Sequence, residues 1–138
     1  EKKAVRLGGG DPHRYNLADA VMIKDNHIAH IGLEEAIERA KREASFTTKI
    51  EIEAETIDTA ERAAQLGADI VLLDNMTPSE VEKAVGALEN HDVIVEASGG
   101  ITPENVVEYV RTGVDVVSMG SLIHSSDWLD LSMRMQEG

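Results

Sequence analysis

Lys24, Asp25, Asn26 and His27 stand together at the end of the apolar run Ala20-Val21-Met22-Ile23, within DAVMIKDNHIAHIG. An amine, a carboxylate, an amide and an imidazole in four consecutive residues can bind an anion, move a proton or attack a carbonyl. Two further carboxylates close runs rich in Ile, Val and Leu: Glu53 ends KIEIE and Asp74 ends DIVLLD. Brought to one rim, such a pair can hold Mg²⁺, which keeps several waters and favours sites shared with substrate phosphates. It can also accept hydrogen bonds from sugar hydroxyls, and capping or salt bridging at a strand end is the plain alternative for each acid. His13 and Arg14 follow a glycine run in GGGDPHRYN, and a guanidinium suits bidentate binding of carboxylate or phosphate. Ser98-Gly99-Gly100 in EASGGITPEN and Gly120 in SMGSLIHSS, with His124 behind it, complete the set. Glycine lets backbone N–H groups approach an anion, and a helix N-terminus behind the loop adds roughly half a positive charge. His27 and His30 form no convincing three-ligand metal pattern.

Positioning these groups requires a regular frame. Apolar, β-branched runs predict strands at Ala4–Leu7, Ala20–Lys24, Lys49–Glu53, Ile70–Asp74, Val93–Ala97 and Val114–Met119. Helical patterns lie between them, near residues 33–45, 57–67, 78–90, 103–112 and 126–135. Thr77-Pro78-Ser79-Glu80 combines an N-cap, a proline at the first helical position and a capping-box acid; Thr102-Pro103 repeats the first two. Strand–helix–strand repetition at this spacing means parallel βαβ units, in a doubly wound sheet or in most of a (β/α) barrel. The dinucleotide fingerprint G-x-G-x-x-G is absent. Lys24, Glu53, Asp74, Ser98 and Gly120 each stand at or just beyond a strand end, separated by 29, 21, 24 and 22 residues. Barrel enzymes build their sites at that end, often with a phosphate site after the last strands. The expectation is one α/β domain over residues 1–138, the C-terminal part of a parallel (β/α) barrel, with cations from early strands, carboxylates from middle strands and glycine loops from late ones.

Composition excludes several classes. The formal charge is −13, and nucleic-acid binding needs clustered Lys and Arg. Residues 1–27 hold five Lys/Arg against four acids, net +1, leaving −14 on residues 28–138. The N-terminal segment is therefore the better place for an anion. No run reaches the eighteen or more apolar residues of a membrane span, and no signal-peptide pattern opens the chain. Zero cysteine excludes disulfides and thiolate metal sites and suits a cytoplasmic setting. The opening EKKAVRLGGG, without an initiator Met, reads as part of something longer.

Five blocks, HRYNLADAVMIKDNHI, IEIEAET, ADIVLLDNMTP, VEASGGITPENV and GVDVVSMGSLIHS, resemble the signature blocks of quinolinate phosphoribosyltransferase in order and over most of the chain. That family is the decarboxylating nicotinate-nucleotide pyrophosphorylase of NAD synthesis. The resemblance implies an incomplete barrel behind an N-terminal α/β sandwich, working as a homodimer or higher oligomer. It further implies transfer of phosphoribose from phosphoribosyl pyrophosphate to quinolinate with Mg²⁺. His13, Arg14 and Lys24 would hold the quinolinate carboxylates. Glu53 and Asp74 would engage the ribose hydroxyls and Mg²⁺, and Ser98, Gly99, Gly100, Gly120 and His124 would surround the phosphate end. The family's sandwich domain and an Arg-Lys segment lie upstream of Glu1, so the 138 residues alone are expected to be inactive without them. Alternatives are a molybdenum-transport-associated paralogue, a Schiff-base barrel aldolase using Lys24, and a non-catalytic fragment binding phosphorylated ligands.

Overall fold

The structure is a computed structural model and describes residues 1–135. Five strands form one sheet: β1 (Val21–Ile23), β2 (Ile50–Ala54), β3 (Ile70–Asp74), β4 (Ile94–Ser98) and β5 (Val116–Val117). All neighbours run parallel, and the spatial order is the chain order, β1-β2-β3-β4-β5. A doubly wound sheet reverses its order part-way. Here each crossover advances one strand in the same direction along the sheet, which is the construction of a barrel sector.

Helices α1 (Lys2–Leu7), α2 (Asp25–Ile31), α3 (Leu33–Glu43), α4 (Ile57–Gln65), α5 (Pro78–Leu88), α6 (Val106–Val110) and α7 (Ser121–His124) complete the described elements. One face of the sheet, through Ile50, Ile52, Ala54, Val71, Leu73, Val95 and Ala97, belongs to the apolar core. Helices meet it with Ala36 and Ile37 of α3, Ala60, Ala63 and Ala64 of α4, and Val81, Ala84 and Leu88 of α5. The alanines let α4 lie close to β2 and β3. Each large side chain fully withdrawn here, such as Ile52 or Leu73, contributes about 1.5–3 kcal/mol. The capping box at α5 forms as expected: Thr77 Oγ1 accepts from Glu80 N, and the Glu80 carboxylate accepts from Thr77 N at 2.8 Å.

Three expectations are corrected. Ala4–Leu7 lies in helix α1, not in a strand; Lys, Ala, Arg and Leu all favour helix, and no β partner is present to override that preference. A helix not foreseen, α2, starts directly after Lys24, where His27 Nδ1 accepts a bond from the Lys24 backbone N–H at 3.0 Å. Residues 126–135 form no helix, and Trp128, Leu129, Leu131, Met133 and Met135 stand exposed. A ten-residue amphipathic stretch is marginal as a helix unless its apolar stripe is packed, and among the described residues nothing covers it.

One device recurs. In Gly67-Ala68-Asp69 and Gly113-Val114-Asp115, each ahead of a strand, the aspartate grips a residue of the preceding strand twice. Asp69 N donates to Ile50 O at 2.9 Å while its Oδ2 accepts from Ile50 N at 2.8 Å. Asp115 does the same to Val95, at 3.0 and 2.8 Å. These clamps set the register at the N-terminal ends of the strands. Asp69→Ala strips the partly buried Ile50 N–H of its acceptor and is expected to cost about 1–3 kcal/mol in urea unfolding. Asp69→Asn, which keeps an acceptor, should cost less.

Candidate active site

Strand alternation puts every second side chain on the face away from the helices. Met22 and Lys24 follow β1 upward, Glu51 and Glu53 lie on β2, Leu72 and Asp74 on β3, Glu96 and Ser98 on β4, and Val116 and Ser118 along β5. Nine of these ten side chains, with His13 and Gly120, line one open cavity of about 890 Å³; the tenth, Glu51, lies against it through His13 and Glu96. Of the residues expected at the site, the cavity gathers His13, Lys24, Glu53, Asp74, Ser98 and Gly120.

Four expected residues do not line it. Arg14 turns back on its own loop, with Nη1 donating to Ala20 O at 2.9 Å and Nη2 facing Met22 Sδ at 4.0 Å, so it ties the His13 loop to β1. Gly99 faces the neighbouring loop: at φ 89°, a Cβ there would lie 2.6 Å from the Asn75 backbone nitrogen. Its glycine identity answers to that close approach. Gly100 accepts a bond from Asn105 Nδ2 through its carbonyl at 3.1 Å. The His124 ring packs against Gly120, and its Nδ1 pairs with Ser125 Oγ at 2.7 Å.

The rim is electrostatically tight. Lys24 Nζ donates to Glu53 Oε2 at 2.5 Å. That bond, reinforced by the charges of Glu53, Asp74 and Asp25 against the opposing effect of burial, holds the Lys24 ammonium above its ordinary range. Burial, then the neighbouring charge of Glu53, raises the Asp74 carboxyl; Lys24 and the 2.6 Å bond from Asn75 Nδ2 oppose this.

Beneath the rim lie two carboxylates that a search of strand ends passes over. Glu51 is 1% exposed and Glu96 is 4% exposed. Glu51 Oε1 lies 3.4 Å from His13 Nε2, and Glu96 Oε1 accepts from Ser118 Oγ at 2.5 Å. Burial is the main cause that lifts the Glu51 carboxyl, with the Glu96 charge adding and His13 opposing. His13, Glu51 and Glu96 bring one polar atom each within 4.8 Å of one another. The signal was available: Glu51 and Glu96 stand two residues before Glu53 and Ser98, so period-2 alternation points them to the same side.

Comparison with known proteins fits this arrangement. Residues 1–134 match the family model described as the C-terminal domain of quinolinate phosphoribosyl transferase. The chain is 52% identical over 141 residues to a probable nicotinate-nucleotide pyrophosphorylase [carboxylating] of Methanothermobacter thermautotrophicus, covering 99% of the chain and 50% of that protein. It is 42% identical to the human nicotinate-nucleotide pyrophosphorylase [carboxylating], covering 98% of the chain and 46% of that protein. The crystal structure of NadC from Streptococcus pyogenes superposes with a TM-score of 0.87 at 42% identity, over 97% of this chain and 47% of that one. A thiamine phosphate pyrophosphorylase from Pyrococcus furiosus, 21% identical with a TM-score of 0.63, shares the fold. The chain thus spans about half the length of the relatives it matches, and within that span it belongs to the quinolinate phosphoribosyltransferase family, as its C-terminal domain.

Proposed function

We propose that this domain supplies much of the site at which phosphoribose passes from phosphoribosyl pyrophosphate to quinolinate, giving nicotinate mononucleotide, pyrophosphate and CO₂ in NAD synthesis. The observation that carries this reading is Lys24 and the acids Glu53 and Asp74 side by side on one cavity rim. The printed names of the relatives, nicotinate-nucleotide pyrophosphorylase [carboxylating], support it.

The chemistry asks for this distribution of charge. The quinolinate nitrogen attacks the ribose C1 while the bond from C1 to the pyrophosphate oxygen breaks, and the leaving group takes the electron pair. Positive charge then builds on the sugar, where Glu53 and Asp74 are suited to stabilise it and to accept bonds from ribose hydroxyls. Lys24 and His13 are suited to hold the two quinolinate carboxylates and so aim the nitrogen. The newly cationic ring accepts the electron pair left at C2 when the 2-carboxylate departs as CO₂, and C2 then takes a proton. Lys24 acts electrostatically in this scheme. Its ammonium is stabilised by Glu53, the reverse of the depressed lysine that Schiff-base chemistry requires, which argues against the aldolase reading.

Glu53 and Asp74 fit Mg²⁺. They are hard oxygen donors side by side on one rim, and burial followed by the Glu53 charge raises the Asp74 carboxyl, so a cation beside it would be favoured. The ion, when bound, would neutralise charge on the pyrophosphate. The phosphate end would lie against Ser98 and Gly120 at the rim, with Gly99, Gly100 and His124 shaping the loops behind them. A homodimer or higher oligomer is proposed as the working assembly, with the exposed Trp128, Leu129 and Leu131 as surface available for burial. A cytoplasmic setting is proposed from the absence of cysteine, and no helix among the described residues is long and apolar enough to cross a membrane.

The direct test is turnover with this domain in its full-length enzyme, following nicotinate mononucleotide from quinolinate and separately from nicotinate. Product from quinolinate alone is expected, and product from nicotinate would overturn the substrate assignment. Lys24→Met should lower kcat/KM about a hundredfold, roughly 2.7 kcal/mol of transition-state stabilisation; unchanged turnover and quinolinate affinity would remove Lys24 from the site.

The raised Asp74 carboxyl also has a stability consequence. Its native pKa lies above the unfolded value of 3.8, so the charged form is penalised in the native state at neutral pH. Asp74→Asn should therefore raise the urea midpoint at about pH 7. That gain should shrink as pH falls through the native pKa towards 3.8, because both states then hold the proton.

A further inference from the structure

We propose that Glu51 is a positioning residue: it sets the orientation and tautomer of the His13 ring, so that this imidazole meets the anionic substrate with a fixed nitrogen. The proposal rests on the quinolinate reading above. Three observations carry it. Glu51 is almost completely withdrawn from solvent, and His13 Nε2, at 3.4 Å, is its hydrogen-bond partner among the described side chains. Glu96, the other buried carboxylate, is engaged by Ser118 Oγ and lies close enough to Glu51 that one polar atom each of His13, Glu51 and Glu96 falls within 4.8 Å of the others. His13 itself stands on a loop with 39% of its side chain exposed, and its backbone is held from outside by Lys2, whose Nζ donates to the carbonyls of His13 and Arg14 at 2.7 and 2.5 Å.

A loop histidine of that exposure would rotate freely unless one ring nitrogen were fixed. An ionised Glu51 only accepts, so in that state the bond places the hydrogen on Nε2 and leaves Nδ1 free to face the substrate. The same carboxylate–imidazole pairing orients histidines that ligate metals. A buried carboxyl is a poor structural element, because an apolar side chain of similar size, set between its cross-strand neighbours Met22 and Ile70, avoids the desolvation cost. Its presence under His13 is accounted for by what it does to the ring.

Glu51→Met removes the acceptor and keeps the volume, whereas Glu51→Gln keeps an acceptor in its amide oxygen. In the full-length enzyme, Glu51→Met is expected to raise KM for quinolinate about tenfold, with kcat and KM for phosphoribosyl pyrophosphate changed by less than about twofold. Glu51→Gln should stay within about twofold of the parent in all three constants. Adding His13→Ala to Glu51→Met should cost little beyond His13→Ala alone, since the two act as one unit. Ring ¹⁵N shifts should report hydrogen on Nε2 in the parent and lose that bias in Glu51→Met, a readout that general loosening of the fold would not give. Multiplying effects of the two substitutions, or an Nε2 without hydrogen in the parent, would overturn the proposal. Absence of turnover by the parent would count against the proposed function instead, and the ring measurement, which needs no substrate, would still decide the role of Glu51.

Discussion

The constraint on which the rest depends is that one face of a parallel sheet must be dry while the other carries charge. Ile52, Val71, Leu73 and Ala97 turn to the helices and are wholly buried. Their immediate neighbours Glu51, Glu53, Leu72, Asp74, Glu96 and Ser98 turn the other way, because a strand alternates at every residue. A shift of one residue in register would drive four carboxylates into the alanine-lined helix interface, at a cost no surface contact repays. The polar face is thus a strong enforcer of strand position, not merely its beneficiary.

Charge on that face is arranged in two tiers with different solutions. At the rim, where water reaches, Lys24 and Glu53 neutralise each other directly while Asp74 stays close to both. A tier lower, where water does not, Glu51 and Glu96 each take a separate partner, His13 and Ser118. No buried side-chain polar atom among the described residues is left without a partner. A free site that satisfies its own groups must exchange those bonds for substrate bonds. On the function proposed above, part of the binding energy goes into separating Lys24 from Glu53, which frees both for the substrate in a single event.

Much of this was legible in the sequence, and the failures have physical causes. Five strands could be read because Ile, Val and Leu runs at βα spacing leave few alternatives, and Thr77-Pro78-Ser79-Glu80 announced its helix through local bonds alone. Ala4–Leu7 could not be assigned from four apolar or basic residues, since only the presence of a β partner decides between strand and helix there. The stretch 126–135 carries a helical apolar period, but the period becomes a helix only against a surface. At the site, the rim residues Lys24, Glu53, Asp74, Ser98 and Gly120 followed from strand spacing. Arg14 did not, because a long side chain on a loop takes whichever acceptor the loop's own path brings near, here the Ala20 carbonyl. Glu51 and Glu96 were passed over because attention to strand ends ignores the position two residues earlier.

The paired clamps of Asp69 and Asp115 have a consequence for how such a protein changes over time. Both grip the strands at the end opposite the cavity rim. Anchoring there lets the loops after Asp74, Ser98 and Ser118 exchange residues without loosening the frame, save where Gly99 meets Asn75. Selection can then act on the chemistry of one end while the other keeps the parts in place, so that a new substrate can be tried without first securing a new fold.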